Sequence, residues 1–267
     1  MKCVAGLDVG STYTKAAILN SEGDLIGRAM RNTGFKLDEV ARKAFDAALE
    51  DTGVSESDIG YVISTGYGRH RVDFRDVTVT ALTAAARGAH WFFPNSRTVL
   101  DIGGQTMKAT KLDDKIKVKS FRLNDKCAAG TGAFLEKTAR YMDYSTEQIG
   151  ALAMSSKEEV EISGVCAVFA ESEVINQLSI GSEPSDIMQG AMVSLVGRSL
   201  QLMRRIKMEP EYTLVGGIMR YPTMVQSLTA ELGGDVNVPD GDLVQFVGAI
   251  GAATLALQRL AKVEAEE

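Results

Sequence analysis

Asp8-Val9-Gly10-Ser11-Thr12-Tyr13-Thr14-Lys15 joins one apolar run, Val4-Ala5-Gly6-Leu7, to another, Ala16-Ala17-Ile18-Leu19. Both arms have strand character, and Ser21-Glu22-Gly23-Asp24 is a turn signal leading to Leu25-Ile26. The segment between the arms carries an acid, a glycine, hydroxyls and a lysine. Phosphate and magnesium chemistry uses these groups. Glycine lets backbone N–H groups approach phosphate oxygens, and a carboxylate can hold hydrated Mg²⁺. Taken alone, such a turn is equally an ordinary hairpin.

It is not alone. Thr98-Val99-Leu100 runs into Asp101-Ile102-Gly103-Gly104-Gln105-Thr106-Met107-Lys108-Ala109. Laid over the first turn, Asp8 matches Asp101, Gly10 matches Gly103, Lys15 matches Lys108 and Ala16 matches Ala109. An internal repeat decides the fold class. The expectation is an α/β protein of two related halves, residues 1–96 and 97–267, each presenting one phosphate turn to a shared cleft. No Gly-x-x-x-x-Gly-Lys-Ser/Thr loop occurs, which excludes a P-loop, and no Gly-x-Gly-x-x-Gly follows a strand.

Between the repeats, Leu37 to Leu49 has the spacing of an amphipathic helix and Tyr61-Val62-Ile63-Ser64 that of a strand. Thr65-Gly66-Tyr67-Gly68-Arg69 reads as a flexible loop above the cleft or against a partner. Val79 to His90 is helical in pattern. His70 and His90 are too isolated to form a catalytic or metal constellation. In the second half a long helix runs from about Ser185 to Met208, stopped by Pro210. Thr213-Leu214-Val215 is a strand entering Gly216-Gly217, a place where backbone can press against a nucleotide. Gln245 to Ala253 is a small-residue helix suited to close packing on a sheet, and the acidic tail after Lys262 is expected to fray.

Two cysteines stand out in the second half. Cys127 lies in Asn124-Asp125-Lys126-Cys127-Ala128-Ala129-Gly130-Thr131-Gly132, and Cys166 in Ile162-Ser163-Gly164-Val165-Cys166-Ala167-Val168-Phe169-Ala170-Glu171. Helical apolar spacing follows each. Both thiols would then sit near the positive end of a helix dipole, which favours thiolate and so a soft metal. Gly130, Gly132 and Gly164 would leave backbone N–H groups open to a cluster. An iron–sulfur cluster usually takes four cysteines. A symmetric dimer supplies them from two pairs. Cys3, in the first strand, reads as a small buried hydrophobe.

Composition bounds the partners. The chain has 267 residues, 45% of them hydrophobic and 24% charged, with a net charge of -6. Such a surface does not invite nucleic acid or an anionic membrane. Asp8 interrupts the short apolar start, so no signal peptide is read, and no apolar run is long enough to span a bilayer. Three cysteines in a chain this long do not form a disulfide framework, and the expected setting is the cytoplasm.

The two Asp-Gly turns and Gly216-Gly217 resemble the phosphate and adenosine motifs of the acetate and sugar kinase/Hsp70/actin superfamily. The two cysteine segments narrow the resemblance. They are similar to those of the activator ATPases of 2-hydroxyacyl-CoA dehydratases and the ATPase subunits of benzoyl-CoA reductases, over nearly the whole chain. The resemblance implies duplicated ribonuclease H-like domains of the actin-like ATPase kind. It implies Asp8 and Asp101 near Mg²⁺, and Gly10, Ser11, Thr12, Tyr13, Thr14, Lys15, Gly103 and Gly104 around the ATP phosphates. Gln105 would orient the attacking water, and Gly216, Gly217 and Gln245 would line the nucleoside. It further implies one [4Fe–4S] cluster per homodimer, or per pseudo-symmetric heterodimer, held by Cys127 and Cys166 of each chain. ATP hydrolysis would drive single electrons from a ferredoxin or flavodoxin donor to a dehydratase or reductase.

Other classes share the phosphate turns. A sugar or carboxylate kinase would need a polar acceptor pocket with a general base. A chaperone or filament ATPase would ordinarily carry an extra domain or insertions, and this chain is compact. Only the electron-transfer reading requires iron.

Overall fold

The computed structural model describes residues 2–50, 52–124, 130–162 and 167–266. It divides into two compact units, one made of residues 1–95, 112–118 and 245–267, the other of residues 96–111 and 119–244.

In the first unit β1 (Cys3–Val9), β2 (Tyr13–Leu19) and β3 (Leu25–Asn32) form an antiparallel meander. β4 (Ile59–Thr65) and β5 (Val77–Thr78) extend the sheet in parallel on the other side of β1, giving the order β3-β2-β1-β4-β5. The period of two along β1 sends Cys3, Ala5, Leu7 and Val9 to one face. There α1 (Leu37–Leu49) lays down its apolar stripe of Val40, Ala41, Ala44, Phe45 and Ala48. Cys3 is buried in this core, among apolar neighbours.

The opposite face, with Val4, Leu19 and Ile63, is covered by Ala252, Ala253, Ala256 and Leu260 of α8 (Val247–Glu266). Small residues permit the approach. A Cβ on Gly6 would lie 2.0 Å from the Ala249 carbonyl oxygen and 2.3 Å from the Ala253 nitrogen. α2 (Ala81–Phe92) meets α8 by the same device. A Cβ on Gly88 would stand 1.9 Å from the Val247 carbonyl oxygen, and one on Gly251 1.9 Å from that of Ala84. The division at 96/97 therefore does not carry through to residue 267: the chain returns at Gln245 and completes the first unit. α8 also continues to Glu266, beyond the point where the acidic tail predicts fraying.

The second unit repeats the first sheet. β6 (Thr98–Ile102) pairs antiparallel with β7 (Met107–Leu112) and parallel with β9 (Tyr212–Val215). β8 (Val118–Asn124) and β10 (Val236–Asn237) complete the order β10-β9-β6-β7-β8. Read from β8 to β10 this is the order of the first sheet, so the fold is a duplicated ribonuclease H-like one. α3 (Gly132–Tyr141), α4 (Ile149–Met154), α5 (Ala167–Ser179), α6 (Pro184–Arg204) and α7 (Pro222–Leu232) share one core with Leu100, Ile102, Met107 and Leu214. α6 opens with Pro184 at its first turn. It stops at Arg204, short of the expected Met208. The chain tightens there through Ile206 N–H to Met203 O (3.1 Å) and Lys207 N–H to Arg204 O (3.1 Å), and Lys207 turns left-handed at φ +52°. Among the described residues, no helix is long and apolar enough to cross a membrane.

Candidate functional site

In each unit the penultimate residue of the central strand is an aspartate, and the hairpin that follows closes in the same way. Gly10 N–H donates to the Tyr13 carbonyl (3.1 Å), and Gly103 N–H to the Thr106 carbonyl (2.8 Å). Cross-strand register sets Lys15 beside Asp8 and Lys108 beside Asp101. The ammonium–carboxylate distances are 3.6 Å and 2.7 Å, and all four side chains are mostly buried, 15 to 19% exposed.

A second correspondence surrounds each acid. Thr65 pairs with Asp8 across the parallel strands, and Val215 pairs with Asp101. The next residue in each case is a glycine with positive φ, Gly66 at +87° and Gly216 at +99°. A Cβ on Gly66 would lie 2.5 Å from both Asp8 Oδ1 and the Val9 carbonyl oxygen. One on Gly216 would lie 2.9 Å from Asp101 Oδ1 and 2.3 Å from the Ile102 carbonyl oxygen. Gly248, in the first turn of α8, closes on Asp8 Oδ2, where a Cβ would come to 3.0 Å. Both carboxylates thus stand in glycine-walled cradles with an ammonium alongside. Such a cradle can take a hydrated divalent cation and the phosphates it carries.

Not every predicted binding residue faces outward. Ser11 and Gln105 are exposed, and Thr12, Tyr13, Gly103, Gly104, Gly216 and Gly217 are half-buried. Thr14 is buried, its hydroxyl bonded to that of Thr33 at 2.9 Å. It shapes the turn from beneath. Thr33 also donates to the Gly10 carbonyl (2.9 Å), and its N–H bonds the Thr12 carbonyl (2.9 Å). Gln245 is buried too. Sequence reasoning missed Thr33, Gly66 and Gly248. A signal existed for Gly66: it follows a strand directly, as Gly216 does.

Cys127 and Cys166 lie outside the described residues, but the helices that follow them do not. α3 and α5 are tied together by Lys137 Nζ donating to Glu171 Oε2 at 2.6 Å. Glu171 holds the Lys137 ammonium above its ordinary pKa. Lys137 is the sixth residue of α3 and Glu171 the fifth of α5, so the pair joins the two helices within their first two turns. One expectation is corrected. The Gly132 N–H is not open: it donates to the Gly103 carbonyl at 3.0 Å, and Ala133 N–H donates to the Gly104 carbonyl at 2.8 Å.

Residues 5–256 match the BadF/BadG/BcrA/BcrD ATPase family. The chain belongs to that family. Members similar to it include the activator of lactoyl-CoA dehydratase of Anaerotignum propionicum, 37% identical, covering 96% of this chain and 98% of the relative. A benzoyl-CoA reductase subunit of Thauera aromatica is 32% identical, covering 95% of this chain and 92% of the relative. Among solved structures, the activator of the 2-hydroxyisocaproyl-CoA dehydratase from Clostridium difficile with bound ADPNP superposes with a TM-score of 0.91. Its identity is 36%, and the match covers 99% of this chain and 98% of that one. The doubled aspartate turn is therefore found in a member of an ATPase family.

Proposed function

We propose that the protein is a reductive activator: it hydrolyses Mg·ATP and uses the energy to deliver electrons from an iron–sulfur cluster to a dehydratase or reductase acting on an acyl-CoA. One observation carries the reading. A chain with two glycine-walled aspartate turns also has two helices, α3 and α5, that are joined by an ion pair and begin shortly after Cys127 and Cys166 in the sequence. Its relatives are named as dehydratase activators and a benzoyl-CoA reductase subunit.

In this reading Asp8 and Asp101 hold Mg²⁺, and Ser11, Thr12, Lys15 and the Gly103-Gly104 amides meet the phosphates. Gln105, exposed at the tip of its turn, orients the attacking water, and Gly216 and Gly217 line the nucleoside. Cys127 and Cys166 of two copies hold one [4Fe–4S] cluster, which supplies a low-potential electron when bound. The second copy would meet apolar surface that a lone chain leaves open. Phe169 and Ile175 on α5 are 64% and 50% exposed, and Ile180 just beyond it 67%. A ferredoxin or flavodoxin would be the electron donor.

The test is anoxic purification with iron and mass measured together. A dimer with about four irons is expected. Cys127→Ser or Cys166→Ser is expected to lose iron and electron delivery, while Cys3→Ser, in the buried core, keeps both. A monomer without iron after reconstitution would refute the cluster. ATP-dependent phosphorylation of a sugar or carboxylate by that protein would instead establish a kinase.

A further inference from the structure

The first two amides of an α-helix have no partner within the helix. In α3 they belong to Gly132 and Ala133, and they are taken up by the carbonyls of Gly103 and Gly104. Those carbonyls belong to the turn after Asp101. A trans peptide points its C=O and N–H in opposite directions. The Gly103 carbonyl is therefore the far side of the Gly104 N–H, and the Gly104 carbonyl the far side of the Gln105 N–H. One pair of peptide units holds α3 by its carbonyls and turns its N–H groups the opposite way.

We propose that Gly132 and Ala133 are positioning residues that transmit nucleotide occupancy from the Gly103-Gly104-Gln105 peptides to the start of α3. The inference rests on the reading of this turn as a phosphate site. A phosphate accepting from the Gly104 and Gln105 N–H groups fixes both peptide planes. It also polarises them, so the opposite carbonyls become better acceptors for α3. Without phosphate those planes can rotate, and the hold on α3 weakens.

Gly132 sits close against its neighbours. A Cβ there would stand 2.9 Å from Ile218 Cδ1 and 3.4 Å from the Gly103 carbonyl oxygen. Ile218 itself follows Gly216-Gly217, so the floor beneath the helix start belongs to the other glycine turn of the same unit. Gly132 lies five residues after Cys127 in the sequence.

Residue-resolved amide hydrogen exchange on the intact protein tests this, with Mg²⁺ and a non-hydrolysable ATP analogue against nucleotide-free protein. The Gly104 and Gln105 amides are expected to slow by about tenfold, the scale of a neutral hydrogen bond becoming charge-assisted, and the Gly132 and Ala133 amides to slow with them. Met224, whose N–H bonds the Tyr221 carbonyl at the start of α7 (3.0 Å), is the control in the same unit and is expected not to change. Protection of Gly104 and Gln105 with Gly132 and Ala133 unaltered would overturn the relay and leave the phosphate site standing. Nucleotide binding that protects none of the four would remove both.

Discussion

Gly216→Ala puts a number on the glycine wall behind Asp101. The backbone there has φ 99° and ψ 164°, a region essentially confined to glycine, and holding alanine in it costs about 1–3 kcal/mol. The new methyl would also stand 2.3 Å from the Ile102 carbonyl oxygen. That neighbour is strand backbone and cannot swing aside, so overpacking adds about 1–3 kcal/mol. The total is about 2–6 kcal/mol, and at roughly 2–4 °C per kcal/mol the melting temperature is expected to fall by at least ~4 °C. Gly197, inside α6, supplies the contrast. Its φ is not left-handed and no atom lies within 4 Å of its virtual Cβ. Gly197→Ala is therefore expected to stabilise by about 0.4–1 kcal/mol through the unfolded chain. Thermal melts followed by circular dichroism, alongside ATP titrations, read both variants. The same substitution within one unit is expected to move stability in opposite directions, with weakened ATP binding only at 216. A Gly216→Ala protein that melts with the wild type would refute the wall.

Asp101→Asn is expected to abolish ATP hydrolysis, because the amide cannot hold Mg²⁺ as a carboxylate does; full turnover in a folded variant would remove Asp101 from the site. Lys15→Ala is expected to weaken ATP binding more than Lys108→Ala, since Lys108 is bonded to Asp101 at 2.7 Å while Lys15 stands 3.6 Å from Asp8; equal affinities by calorimetry would contradict this. Asp186 accepts hydrogen bonds from the Lys157 N–H, the Glu158 N–H and the Ser156 hydroxyl, and these hold its carboxyl below the ordinary aspartate value. A lowered folded pKa gives stability that is present above the unfolded value of about 3.9 and lost as pH falls through the folded one. Asp186→Asn is therefore expected to unfold at lower urea than the wild type at neutral pH, with the gap closing as pH drops below about 4.

Local pattern carried much of this molecule. α1 occupies the stretch its apolar spacing marks, and the alignment of Asp8 with Asp101 reports a real duplication of sheet topology. The small-residue run at 245–253 does press on a strand, through Gly6. What escaped the sequence is tertiary. Gly66 and Gly216 share a positive φ, and each follows the residue paired with its aspartate, but their neighbours differ, Tyr67-Gly68 in one and Gly217-Ile218 in the other. Thr33 reaches the first turn from a separate strand end, a contact no local window contains. The Gly132 amide illustrates the opposite error. Its glycine context suggested an open donor, while its acceptor, the Gly103 carbonyl, lies far upstream in the chain.

The return of α8 to the first sheet has a consequence for synthesis. β1 is translated well before α8, yet the helix that covers one of its faces is made of residues 247–266. Until those residues emerge, Val4, Leu19 and Ile63 lack their cover. Residues 119–244, with the β6–β7 hairpin before them, are all translated earlier and form a core of their own. The later-starting unit can therefore finish first, reversing the usual N-terminal-first order of domain folding. A fragment ending at residue 244 would then hold a complete second unit and an incomplete first one, its Val4, Leu19 and Ile63 face left without cover.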